Sequence, residues 1–240
     1  MIAPIKFATY MEVQAQEIQS ARSAKKSQLR LMAALANLLE SAEFADIKVI
    51  DITKKAGLAK GTFFIHFKTK DDIVEELLQQ YVSFERNMLP VASRHADPFD
   101  GILEIVNWYE KTFATNHGVL GCLVQLSGGD TRYRKLWLKR NSELLNEWVG
   151  QASATLDLGE ENDPLVRHVL HAAGAIMDQS LFERYGLAAK GEEYDLDTDS
   201  LIEMHAVLMY RAVYGQDPEP SKLKIMKPLV ERKPDLQVVT

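Results

Sequence analysis

Apolar residues recur three and four positions apart along this chain, and no stretch alternates apolar with polar in the two-residue rhythm of a half-buried strand. The pattern predicts an all-α fold. A first long helix is expected over residues 25–41, where Leu29, Met32, Ala33, Leu35, Ala36 and Leu39 form a broad apolar stripe. After a turn around 43–46, two short helices are expected over 49–56 and 60–67. Gly57 stands between them and can end the first by taking positive φ. The next helix opens at Lys70-Asp71-Asp72, whose carboxylates suit the positive end of a helix dipole, and runs to residue 88, with Pro90 closing the unit.

A polar run, VASRHADPFD over 91–100, then separates these helices from a second set expected over 100–116, 121–126, 131–156, 164–185 and 196–214. The breaks fall at Asn116-His117-Gly118, at Ser127-Gly128-Gly129, over 158–162 and in an acidic loop over 191–199. Beyond Gly215, Pro218, Pro220, Pro228 and Pro234 exclude a long helix and predict an extended or partly disordered tail. The chain thus divides into an extension over 1–24, a compact helical unit over 25–89, a larger helical domain over 90–214 and a proline-rich tail over 215–240.

With 240 residues, 46 % apolar and 26 % charged, the chain can bury a substantial core in one large domain or two smaller ones. Its one cysteine excludes an internal disulfide framework and fits a reducing compartment. The N-terminal MIAPIKFATYMEVQAQE lacks the basic start and apolar run of a secretory signal, and no apolar run approaches the ~20 residues of a membrane span. A cytoplasmic protein without a membrane partner is expected. Net charge is −6, but unevenly spread: residues 1–70 carry 11 Lys/Arg against 6 Asp/Glu, while residues 71–240 carry 17 against 28. A basic N-terminal third on an acidic body suits one end to a polyanion.

The lysines gather in the stretch DITKKAGLAKGTFFIHFKTKDDI, residues 51–73. Two short helices joined by a glycine turn make a helix-turn-helix. Ile52, Ala56 and Leu58 are spaced to pack the first helix and turn on the second, and Phe63 and Phe67 put two rings inward. Lys60, Thr62 and Ile65 then face outward with Phe64 at the shoulder: a cation for phosphate or guanine, a small hydroxyl, and apolar groups able to touch thymine methyls. Gly61 permits close backbone approach, and Lys54, Lys55, Lys68 and Lys70 surround the face as phosphate partners.

This stretch closely resembles the DNA-binding region of the TetR family of transcriptional regulators. The resemblance spans 31–78 and rests on Ile52, Ala56-Gly57, Lys60-Gly61-Thr62, Phe63-Phe64, His66-Phe67 and Lys70. It implies that Lys60, Thr62 and Phe64 read bases in the major groove of a palindromic double-stranded operator, while Lys54, Lys70 and His66 hold phosphates. Four positions depart from the family's pattern. Lys48 replaces the usual Ser or Thr cap, Ala59 a serine, Phe64 a tyrosine, and Ile65 a polar or aromatic residue. More reliance on lysines and apolar contacts follows. Residues 1–22 admit three readings: an arm touching DNA, a helical extension, or disorder.

For residues 91–214 the resemblance implies a small-molecule effector and a homodimer. An effector pocket would draw on Trp108, Phe113, Cys122, Leu126, Trp137, Met177 and Phe182. Cys122, in the apolar run 120–126, reads as a small core residue rather than a redox sensor. Two helices with broad apolar surface and small residues fit a dimer seam built from His168, Ala172, Ala175, Ile176, Met204 and Leu208. His168, His171 and His205 suit polar positions at that seam better than a metal site. GxSxG, HExxH, paired CxxC and phosphate-loop motifs are absent, so no catalytic residue, metal or cofactor is expected. The expected function is a ligand-released repressor; the alternatives are an all-helical protein whose helix-turn-helix is only structural, and an activator without a small ligand.

Overall fold

Every regular element is helical among the described residues of this computed structural model, 4–19, 23–90, 95–186 and 196–231. In chain order these are α1 (Phe7–Glu17), α2 (Ala24–Leu39), α3 (Val49–Ala56), α4 (Lys60–His66), α5 (Lys70–Asn87), α6 (Pro98–Thr115), α7 (His117–Gly129), α8 (Thr131–Thr155), α9 (Asp163–Tyr185), α10 (Thr198–Tyr214) and α11 (Lys227–Glu231). Single 3-10 turns lie at Glu160–Asn162 and Pro220–Lys222. The start of the polar run (91–94), the loop with Glu192-Glu193 and Pro234 lie outside the described residues.

Local chemistry sets some of the helix ends. At α5, Thr69 Oγ1 accepts from the Asp72 amide (3.2 Å) while the Asp72 carboxylate accepts from the amides of Thr69 (2.9 Å) and Lys68 (3.0 Å), a reciprocal capping box. At α3 only half of such a box exists. The Asp51 carboxylate accepts from the Lys48 amide at 2.9 Å, but a lysine side chain has no acceptor to offer in return. The break expected at Ser127-Gly128-Gly129 falls just later, at the extended Asp130, because α7 continues to Gly129; Ser127 Oγ donates to the Val124 carbonyl within the helix at 2.7 Å.

Packing sorts the chain into two units. One draws on Met1–Leu89, Trp108–Leu144 and Ser180–Glu192; the other on Pro90–Asn107, Leu145–Gln179 and Glu193–Thr240. The first unit therefore includes helices from well beyond residue 90. Its centre is α2, with Leu31, Met32, Leu35 and Ala36 fully buried. Helix α1, which the sequence left open between three readings, lies against α2 and buries Phe7, Met11 and Ala15 at four-residue intervals. Asn116 fastens it, accepting from the Phe7 amide (2.7 Å) and donating to the Ile5 carbonyl (3.2 Å). Residues 7–17 are thus core, not a free arm.

Helix α7 closes on the end of α2 at backbone distance. A side-chain carbon at Gly118 would lie 2.5 Å from the Leu39 carbonyl group, so only glycine fits there. Deeper in the unit, Arg140 of α8 reaches α5. Its Nε and Nη2 donate to the two Glu85 carboxylate oxygens at 2.6 Å each, and Nη2 also meets Tyr109 Oη at 3.0 Å. Arg140 is 2 % exposed and Glu85 0 %, and the guanidinium lies over the Tyr109 and Trp137 rings. A forked, ring-stacked arginine is well suited to hold a carboxylate away from water.

In the second unit, α10 anchors the chain that follows it. The Glu203 carboxylate accepts from the consecutive amides of Lys224 (3.1 Å), Ile225 (2.8 Å) and Met226 (2.7 Å). Lys222 reaches Asp97 (2.8 Å) and Asp100 (2.9 Å), and its hydrogen bond holds the Asp97 carboxyl below its ordinary value. Leu223 and Met226 are buried, so the described part of the tail is fixed rather than loose. His205 is also buried here, and desolvation pushes its imidazole down to about 4.

Two outcomes follow. Glu85→Gln leaves the Arg140 charge buried and uncompensated and lowers stability by about 3–5 kcal/mol in urea denaturation, whereas joint Glu85→Leu and Arg140→Met recovers most of the loss. His205 is neutral when folded and takes up a proton on unfolding. Its contribution is therefore complete above the unfolded pKa near 6.5 and lost as pH falls toward about 4. His205→Gln should flatten the stability–pH curve across that window.

Candidate nucleic-acid interface

The turn between α3 and α4 is a complete Schellman motif. Gly57 sits at φ +64°, its amide donates to the Lys54 carbonyl (3.1 Å), and the Leu58 amide donates to the Thr53 carbonyl (2.9 Å). Arg30 of α2 takes one further terminal carbonyl, donating from Nη2 to Ala56 O at 2.7 Å. The inner face of α3 holds the turn: Ile52, Thr53 and Ala56 are buried. This rigid corner fixes the angle at which α4 leaves.

Helix α4 is anchored from beneath by Phe63 and Phe67, 0 % and 3 % exposed, with ring centroids 5.7 Å apart. The opposite face carries Lys60 and Gly61, both exposed, with Phe64 at 52 % and Ile65 at 77 % exposure. Thr62 and His66 are half-buried at its flanks. Ala59 offers no side-chain cap, as the missing hydroxyl implies. Lys48, Lys54, Lys55 and Lys68 are exposed around this face. Of the nearby carboxylates, Asp51 and Asp72 are already bound to backbone amides.

Lys70 departs from expectation. Its ammonium donates to the carbonyls of Phe44 (2.6 Å), Ala45 (3.2 Å) and Ile47 (2.9 Å), and it lies 4.2 Å from the centre of the Phe44 ring. An ammonium has three hydrogens, and all three are engaged. The phosphate role assigned to Lys70 from the sequence is corrected to that of a tie holding the turn before α3. Ile50 is a surface residue that sequence reasoning passed over; it is 53 % exposed at the start of α3. Its position on the outer face of an amphipathic helix was the available signal.

The residues expected to line an effector pocket fall into three situations. Trp108, Phe113 and Cys122 are buried in the first unit, where Phe113 packs between Tyr109 and Tyr185. Leu126, Trp137 and Phe182 are half-buried, and Trp137 is stacked under Arg140. Met177 is buried in the second unit. Burial pushes the Cys122 thiol up to about 12, which removes the thiolate that redox chemistry needs. Glu110, buried in the first unit, accepts from Tyr185 Oη at 3.0 Å, an interior polar contact with no local sequence signal.

Of the expected dimer residues, His168, Ala172, Ala175 and Ile176 are exposed on α9, beside exposed Leu165. On α10, Leu208 is exposed and Met204 half-buried. These positions recur at three and four residues, so each helix offers an outward apolar stripe. His168 and His171 face outward whereas His205 is buried, so the three do not converge.

Residues 31–77 match the family model described as bacterial regulatory proteins, tetR family. The chain is 23 % identical over 200 residues to the HTH-type transcriptional regulator EthR of Mycobacterium tuberculosis, covering 79 % of this chain and 88 % of that protein. Its fold is similar to that of the regulator FadR from Bacillus subtilis, solved in complex with stearoyl-CoA, at a TM-score of 0.59 and 18 % identity, over 78 % of this chain and 98 % of that one. A tetR-family regulator from Streptomyces coelicolor gives a TM-score of 0.62 at 12 % identity, over 78 % and 79 % of the two chains.

Lys70→Met is expected to cost about 1–3 kcal/mol in urea denaturation by stranding the 44–47 carbonyls. The folded variant's duplex-DNA binding should keep the salt slope of the parent.

Proposed function

We propose, from the premise that this chain belongs to the TetR family of transcriptional regulators, that it is a homodimeric repressor released from a palindromic operator by a largely apolar acyl effector. The observation that carries the DNA reading is the outward face of α4. Exposed Lys60 and Ile65 and the half-exposed ring of Phe64 stand outside the core there, while the Schellman turn and two buried phenylalanines hold the face still. Lys60 supplies a cation for guanine or phosphate, and Lys54, Lys55 and Lys68 stand where they can neutralise the backbone.

The outward stripes of α9 and α10 support a second copy as partner, since a palindromic site needs two reading heads about one helical turn apart. The effector class rests on the stearoyl-CoA complex of the FadR relative and on fold similarity to a putative fatty acid metabolism regulator from Clostridium perfringens. In this chain the route from effector to DNA would run through α7. Its glycine contact with the end of α2 leaves no slack, so a shift of α7 must displace α2 and, with it, the helices packed against α2. A ligand that favours the displaced arrangement would weaken operator binding by about 5–150-fold.

The test is selection of bound duplexes from a random pool, followed by titration with long-chain acyl-CoA. A palindromic site, released by acyl-CoA and weakened with a shallower salt slope by Lys60→Ala, is the expected result. No enrichment at low salt removes the DNA reading; enrichment without release removes the acyl effector. Ile176→Glu should give a monomer in sedimentation and lose operator affinity.

A further inference from the structure

We infer that α4 identifies its operator chiefly through thymine methyl groups, read by Phe64 and Ile65. The inference rests on the DNA-binding reading above and adds the class of base that the helix recognises. Residues 57–69, GLAKGTFFIHFKT, contain no Arg, Asn, Gln, Asp or Glu. The side chains that pair bidentately with adenine, or accept from cytosine, are therefore absent from the turn and the helix. Lys60 can serve guanine, and the half-buried Thr62 adds one small hydroxyl. What the helix offers in quantity is apolar surface.

That surface is placed for contact with a groove. Ile65 is 77 % exposed and Phe64, beyond the edge contact of its ring with Phe63, is 52 % exposed, so both leave apolar surface that the fold does not pack. Gly61 lies three and four residues before them on the same helical face. A side-chain carbon at Gly61 would meet nothing within 4 Å, so no neighbour inside the protein requires glycine there. The missing side chain instead lets the α4 backbone approach an external surface, bringing Phe64 and Ile65 to van der Waals range. The exposed lysines at 54, 55, 60 and 68 that ring this apolar patch select a polyanion over an apolar protein surface as its occupant. Within the major groove, the only apolar group that distinguishes one of the four standard bases is the C5 methyl of thymine.

The test uses the full chain and the duplex it selects from a random pool. Each thymine of one half-site is replaced in turn by deoxyuridine, which keeps every hydrogen-bonding group and loses only the methyl. Affinity is expected to fall roughly three- to fivefold at one or two positions, the loss expected for one buried methyl group. Phe64→Leu and Ile65→Val, conservative enough to preserve folding, should weaken binding to the methylated site and so shrink the penalty at the methyl that each residue touches. Uniform tolerance of deoxyuridine by a protein that binds its selected site overturns the inference and leaves the DNA reading intact. A penalty unchanged in both variants overturns the assignment to these two residues. Failure to select any duplex overturns the DNA reading, and this inference with it.

Discussion

Helix α2 is buried on every side over Leu31 to Ala36, and that constraint organises the first unit. Contacts with α1, α3, α4, α5 and α7 crowd around it, and Ala33, Ala34 and Ala36 keep its girth small enough for several neighbours to approach at once. A helix enclosed in this way cannot shift without disturbing its neighbours, because close-packed interiors pass displacement on rather than absorb it. The reading helix is therefore not an appendage. It is held through α3 and α2, and α2 ends at the point where Gly118 brings α7 in.

The same logic separates what was legible in the sequence from what was not. The α3–turn–α4 corner was legible because its determinants are local: Gly57 for the left-handed turn, Phe63 and Phe67 for the inner face, Asp72 for the next helix start. Its exposed residues followed from periodicity alone. Lys70 was misread because its three carbonyl partners lie 23 to 26 residues earlier, in the turn before α3, and no spacing rule pairs a side chain with carbonyls that far away. Glu85 and Arg140, 55 residues apart, look on paper like any two surface charges. Only the packing of α5, α6 and α8 shows them buried together.

Helix α1 makes a related point. Its stripe of Phe7, Met11 and Ala15 is short, and the sequence alone did not separate helix from arm. The deciding contact is Asn116, 109 residues away, whose amide serves both the Phe7 amide and the Ile5 carbonyl. The uneven charge of the chain likewise gains meaning only with coordinates. Lys70 is spent on backbone carbonyls, whereas Lys54, Lys55, Lys60 and Lys68 stay exposed on or beside α3 and α4.

Glu203 has a practical bearing on how this protein is handled. Its carboxylate is all but buried and is satisfied by three successive backbone amides just past the 3-10 turn. Trimming the chain at residue 219 to obtain a tidier C-terminus would strand that anion beneath the surface and uncover the apolar wall that Leu223 and Met226 close. Shortened versions, or reporters spliced in at that point, would thus behave as interior lesions instead of neutral edits.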